Sequence, residues 1–169
     1  LPLMAVLALV LFGSSVFSIP LETTILLALS ISLGAVIGDT VYLISQERIG
    51  VSYAFPIAMS FPILTHIFTI VFLGEPFIPS RFIGAFVAVA GIILLSREQS
   101  RIDPDTELEG HFDFLGILLA VLTSLLYAIG TTILQVGVTD VDPISGNFIR
   151  VLTGSILFIP MVILAYRKG

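Results

Sequence analysis

The chain has 169 residues, 7 of them Lys or Arg and 12 Asp or Glu, so charged residues make up 11% where an ordinary soluble domain has about 25%. Hydrophobic residues reach 57%, mean hydropathy is +1.13, and the net charge is −5 with a pI near 4.7. These values exclude a water-soluble globule, which could not hide so much apolar surface, and a nucleic-acid binder, which needs a basic footprint; the lack of cysteine excludes a disulfide framework, a thiolate metal site and a thiol nucleophile.

Six apolar runs predict an all-α, polytopic transmembrane bundle. They are long and lack polar–apolar alternation, and only internal hydrogen bonding satisfies a backbone in lipid. The first run covers residues 1–16. It opens Leu1-Pro2-Leu3 without a basic segment, so the expectation is a chain cut inside a helix and not a signal peptide. The second, residues 23–46, carries Gly34 and Gly38 as a G-x-x-x-G pair. The third, residues 51–73, contains Pro56 and Pro62, which remove the backbone bonds normally accepted by Ser52 and Ala58. The freed carbonyls could line a polar cavity, or the helix could simply bend.

The fourth run, residues 82–96, is short for a bilayer of about 30 Å, so the helix starts earlier or the bilayer adapts. Gly84, Ala88 and Gly91 are expected to form a packing seam on it. An acidic stretch over residues 97–113, with turn chemistry at Asp103-Pro104, is the main linker. The fifth run, residues 114–136, repeats Gly116, Ala120, Ser124 and Ala128 at every fourth position, a second seam. The sixth covers residues 148–166. Its Ile159-Pro160-Met161 resembles Leu1-Pro2-Leu3, with Pro160 set against Pro2 at an offset of 158 residues. A true repeat at that offset would hold five helices, an odd number, and would insert its second copy inverted.

One segment is more specific. It holds Gly38-Asp39-Thr40 with Tyr42, Ile49-Gly50 with Ser52, Pro56, Pro62, Phe72-Leu73-Gly74-Glu75, then Gly84 and Gly91 followed by Ile92-Ile93-Leu94-Leu95. This pattern resembles the EamA-type domain of the drug/metabolite transporter superfamily. Beyond the linker, residues 116–166 resemble the opening of a second such domain, with Asp142-Pro143, Asn147 and Arg150 at a recurrent helix start. The resemblance implies ten helices in two inverted five-helix repeats. This chain would hold the end of the first repeat (residues 1–96) and the start of the second (residues 114–169), without the family's first helix and its last three. Ser45 departs from the Ala usual in the family, and the basic cluster often found between the family's second and third helices is missing.

Candidate functional residues are the polar ones inside apolar spans. An ionised Asp at a helix centre costs about 2.5–3.5 kcal/mol on insertion scales, so Asp39 should face the bundle interior. Tyr42 and Gln46 follow it at i+3 and i+7. Asp39 could handle substrate or protons, or be a structural group bonded to a neighbouring helix. His66 could sense or pass protons, or simply be hydrogen-bonded in place. Glu75, the helix-ending Glu of the resemblance, is expected to anchor its loop by pairing with Arg81. Tyr127, Thr131 and Gln135 form a stripe at i, i+4, i+8. Asn147 and Arg150 share a face, where Arg150 could attract an anion, pair with an acid, or snorkel to headgroups.

No P-loop, H-E-x-x-H or G-x-S-x-G is present, so no cofactor and no enzymatic activity are expected. Asp103, Asp105, Glu107 and Glu109 lack EF-hand spacing and read as a solvated loop. The resemblance implies a secondary transporter of small organic metabolites or drugs, an exporter in the plasma membrane, working by alternating access. Protons are candidate co-substrates and a homo-oligomer is left open. The alternative is a non-transporting scaffold or receptor-like subunit. Orientation is contested: Arg48, Arg97, Arg101, Arg167 and Lys168 outnumber Arg81 and Arg150, which by the positive-inside rule puts the linker in the cytoplasm. The resemblance puts it outside, and that placement is adopted.

Overall fold

A computed structural model describes residues 19–102, 113–139 and 141–168. The first expected span, the Leu1-Pro2-Leu3 side of the repeat, the acidic residues 103–109 and His111 lie outside the described residues. The described elements are helical. Helix α1 (Leu21–Ile31) continues through a π-helical segment (Ser32–Gly38) into α2 (Asp39–Ile49), followed by α3 (Val51–Ala58), α4 (Phe61–Leu73), α5 (Pro79–Ile102), α6 (Phe114–Gly137) and α7 (Pro143–Lys168). Among the described residues four stretches are long and apolar enough to cross a membrane: Leu21–Ile49, Val51–Leu73, Pro79–Arg97 and Phe114–Gly137. Pro143–Ile159 is a shorter apolar helix.

The helix ends follow from local chemistry. The fourth span is not short: α5 starts at Pro79, where the missing N–H costs nothing. Helix α7 likewise begins before residue 148, because the Asp142 carboxylate accepts the backbone N–H groups of Ile144 (2.9 Å) and Ser145 (3.1 Å). At the end of α4, Gly74 takes a left-handed conformation (φ 66°) and the Glu75 N–H reaches back to the Thr69 carbonyl at 3.2 Å.

The third span is interrupted. It breaks at Met59–Ser60, between the two prolines, and restarts with Pro62 in the first turn of α4. Ser60 repairs part of the break, donating from Oγ to the Ile57 carbonyl at 2.7 Å. Its single proton is then used, so in the Ser60–Ser124 hydroxyl contact at 3.1 Å it is Ser124 that donates.

Packing divides the chain into two compact units: one of the described parts of Leu1–Val36 and Gly130–Gly169, the other Ile37–Ile129. In the first unit α1 packs on α7. Residues 130–137 of α6 approach the first helix backbone to backbone: a Cβ at Gly130 would stand 2.9 Å from the Ser30 oxygen and 3.0 Å from the Gly34 nitrogen. Small residues let helices approach this closely in lipid, where no hydrophobic force drives them together.

In the second unit α2 packs on α3, and α5 covers α3 and α4. Residues 114–129 of α6 bury their expected seam: Gly116, Ala120, Ser124 and Ala128 are all inaccessible, and a Cβ at Gly116 would collide with Ile49. The seam expected on the fourth span is not formed among the described residues. Gly84 and Ala88 are exposed, and a Cβ at Gly84 or Gly91 meets nothing within 4 Å. The packed face of α5 instead runs through Phe82, Ala85, Val89, Ile92 and Ser96. Phe82, Val89 and Ile92 with the buried Ala85 and Ser96, not the glycines, form that contact.

Two polar links tie the C-terminal end of α2 to the start of α6. Ser45, fully buried, donates to the Gly116 carbonyl at 2.8 Å. Ser45→Ala is expected to cost about 1 kcal/mol or less, as for one interhelical bond in lipid; steric-trap unfolding in bicelles measures it, and no change would show the bond to be idle. At the polar end Arg48 pairs with Asp113 at 2.9 Å. The hydrogen bond from Arg48 holds the Asp113 carboxyl below the usual carboxylate range. Its contribution is therefore full above the ordinary carboxylate pKa and is lost as pH falls through the lowered value. Asp113→Asn should flatten the acid limb of a melting-temperature profile. Because the pair is exposed, the difference should be small and should shrink at high salt.

Candidate functional site

Asp39 is the first residue of α2, directly after the π-helical segment. Such segments shift side-chain register and recur at functional positions. Tyr127 of α6 donates its hydroxyl to Asp39 Oδ1 at 2.5 Å. The other carboxylate oxygen has no hydrogen bond to a described residue. Phe61, at the start of α4, sets its ring edge-on against Tyr127, with centroids 5.6 Å apart and planes at 81°. Asp39, Tyr127, Tyr42 and Gln46 are all half-buried.

The depth of this pair follows from helix geometry. Asp39 lies seven residues before Gln46, where the apolar run ends, about 10 Å at 1.5 Å per residue and so about a third of the way into a hydrocarbon core of about 30 Å. The Arg48–Asp113 ion pair fixes the same polar end on both helices. Tyr127 lies further along α6 from that end than Asp39 does along α2. A helical side chain leans toward its own N-terminus, which brings the phenol back to the level of the carboxylate. A carboxylate and a phenol thus meet inside the apolar span, with an aromatic wall on one side.

His66 lies elsewhere in the same unit. Its ring tilts against Phe82, centroids 5.6 Å apart. With Thr69, Glu75, Arg81 and Phe82 it lines a recess of about 10 Å³, enough for one water. Glu75 accepts from Arg81 at 2.9 Å, the pairing expected from the sequence. His66 therefore stands with the loop-anchoring ion pair, and Asp39 with Tyr127. In the first unit Gln135 is exposed, while Thr131, Asn147 and Arg150 are half-buried. Pro56 sits inside α3 and Pro62 opens α4, the two flanking the break.

Sequence reasoning missed three groups. Phe61 looked like one more apolar residue. Ser60 and Ser124 were single small polar residues, and only their contact shows that they bridge two helices at the break. The π-helical segment leaves no trace in hydrophobic periodicity, because its i→i+5 bonding is not an apolar pattern. No group of three or more His, Asp or Glu side chains suited to a metal occurs among the described residues.

The profile of the EamA-like transporter family matches residues 2–97 and 114–169. No curated protein and no solved structure matches the chain.

Proposed function

The chain belongs to the EamA-like transporter family, its apolar helices make it an integral multi-pass membrane protein, and from that premise we propose that the complete protein is a secondary transporter that exports small organic solutes across the plasma membrane. Solute would move by alternating access, with Asp39 and Tyr127 as the polar centre of the pathway and protons as the coupled species. One observation carries this reading: a carboxylate inside an apolar span whose one side-chain hydrogen bond among the described residues comes from the Tyr127 phenol.

A carboxylate at that depth is costly to insert and is retained where it binds or relays something. Protonation removes its charge, so one group can alternate between holding a proton and holding a polar solute. Tyr42, one turn from Asp39, extends the polar surface. Asn147, Arg150 and Gln135 are candidates for the part of the pathway contributed by the second repeat. His66 is a secondary proton candidate because a water-sized recess adjoins it.

The test is reconstitution of the complete protein in proteoliposomes with a panel of labelled amino acids, organic acids and organic cations. An imposed pH gradient should drive accumulation of at least one class, and collapsing the gradient with nigericin should abolish it. Accumulation indifferent to the gradient would remove proton coupling. Absence of movement across the panel, with the protein shown to be folded, would remove the transporter reading.

A further inference from the structure

Among the described residues of the first unit, Arg150 is a cation without a counter-charge. Arg150 lies about two turns inside α7, on the face that packs against α1. Gly146 and Gly154 stand one turn to either side of it. A Cβ at Gly146 would lie 3.7 Å from Leu27 Cδ1, and one at Gly154 would lie 3.3 Å from Ile31 Cγ1. Arg150 thus rises from the middle of a helix–helix seam, between two residues that have no side chain to crowd it.

Its Nε is buried and has no hydrogen-bond partner. The other charged residues in the described part of this unit do not supply one. Glu22 is exposed in the first turn of α1, Asp142 accepts the first N–H groups of α7 at Oδ2, and neither forms an ion pair with Arg150. Arg stays cationic at any physiological pH, and its planar fork of five N–H donors matches a carboxylate or a phosphate. The residue as a whole is only half-buried, so the outer edge of that fork remains open to a ligand.

From this we infer that Arg150 is an oxyanion receptor, and that the solute handled by this protein carries a carboxylate or phosphate group. Asn147, three residues earlier and half-buried, shares that face of α7. The assignment of the anion as solute rests on the transporter reading above, whereas anion binding itself does not, and the experiment separates the two.

The complete protein, delipidated in maltoside detergent, is melted in sodium phosphate and in sodium acetate, each against sodium chloride at equal ionic strength. The wild type should gain several degrees in one of the oxyanions over chloride. Arg150→Gln should lose that gain, and Arg150→Lys, which keeps the charge without the fork, should move the midpoint of the dose response at least tenfold. Arg81→Gln should leave the gain intact, because its guanidinium is already paired with Glu75. An equal gain in wild type and Arg150→Gln overturns the inference, as does no gain in the wild type. Adding phosphatidylglycerol before the titration separates a lipid headgroup from a free solute. A phosphate or acetate response that survives the lipid supports the solute site, and one abolished by it overturns the solute half of the inference. A positive melt without any transport in proteoliposomes would remove the transporter reading while leaving the anion site standing.

Discussion

Asp39→Asn is expected to lower pH-gradient-driven transport at least tenfold while leaving the melting temperature within a few degrees of wild type. Asn has nearly the same shape and keeps a carbonyl oxygen where Oδ1 accepts from Tyr127. The link between α2 and α6 therefore survives, and so does the fold. On the transporter reading, what is lost is the one group at this position that could carry a proton. Tyr127→Phe does the reverse. It keeps the carboxylate but removes its phenol donor, leaving Asp39 with no hydrogen bond among the described residues. Transport should fall less, and its pH profile should move while staying pH-dependent. Stopped-flow uptake at several external pH values reads both variants. Unchanged pH dependence in Asp39→Asn would show that the carboxylate is a structural group.

A second large effect is expected at Gly130. Its missing Cβ would stand 2.9 Å from the Ser30 oxygen, 3.0 Å from the Gly34 nitrogen and 3.1 Å from the Gly34 Cα, all backbone atoms. No rotamer change can relieve such a contact, so the helices must separate. Gly130→Ala should cost about 1–3 kcal/mol, the range for overpacking a tight interior, and Gly130→Val more. Gly84→Ala is the matched control. Nothing lies within 4 Å of its Cβ position, so it should be neutral or slightly stabilising through helix propensity. Unfolding free energies in bicelles decide between them, and equal losses at the two glycines would contradict the packing described for the first unit.

These two glycines show where sequence reading succeeds and where it stops. Spans are legible because long apolar runs have few other uses, and four of them recur as membrane-length helices. The second seam on α6 is also legible, because Gly116, Ala120, Ser124 and Ala128 repeat at the helix period and all are buried. Glycines in register say only that a helix could be approached closely, not which face is used. Gly84 and Gly91 had the pattern and are not crowded, whereas Gly130 had no pattern and is crowded by backbone atoms.

The candidate site divides in the same way. Asp39 and Tyr127 each stood out as polar residues in apolar spans. Their hydrogen bond joins positions 88 residues apart, and no local spacing encodes that pairing. The break in the third span was legible as two prolines, but its repair by Ser60 and Ser124 was not. Ser45 was noted as a departure from the family's usual Ala, and its bond to the Gly116 carbonyl gives that departure a physical role. Arg150 was legible as a charge, and that its Nε has no partner among the described residues emerged only from the packing around it.

The central claim is that Asp39 faces a hydrated route within the bilayer. The chain contains no cysteine, so single cysteines can be introduced once any outside these residues have been replaced. Asp39→Cys is compared with Leu94→Cys, whose position on α5 is 67% exposed on an apolar outer surface. Both are treated with a membrane-impermeant methanethiosulfonate in intact proteoliposomes. Rapid modification at position 39 with none at position 94 is the predicted result. Protection at position 39 equal to that at position 94, with both reacting only with a lipid-soluble maleimide, would contradict the account.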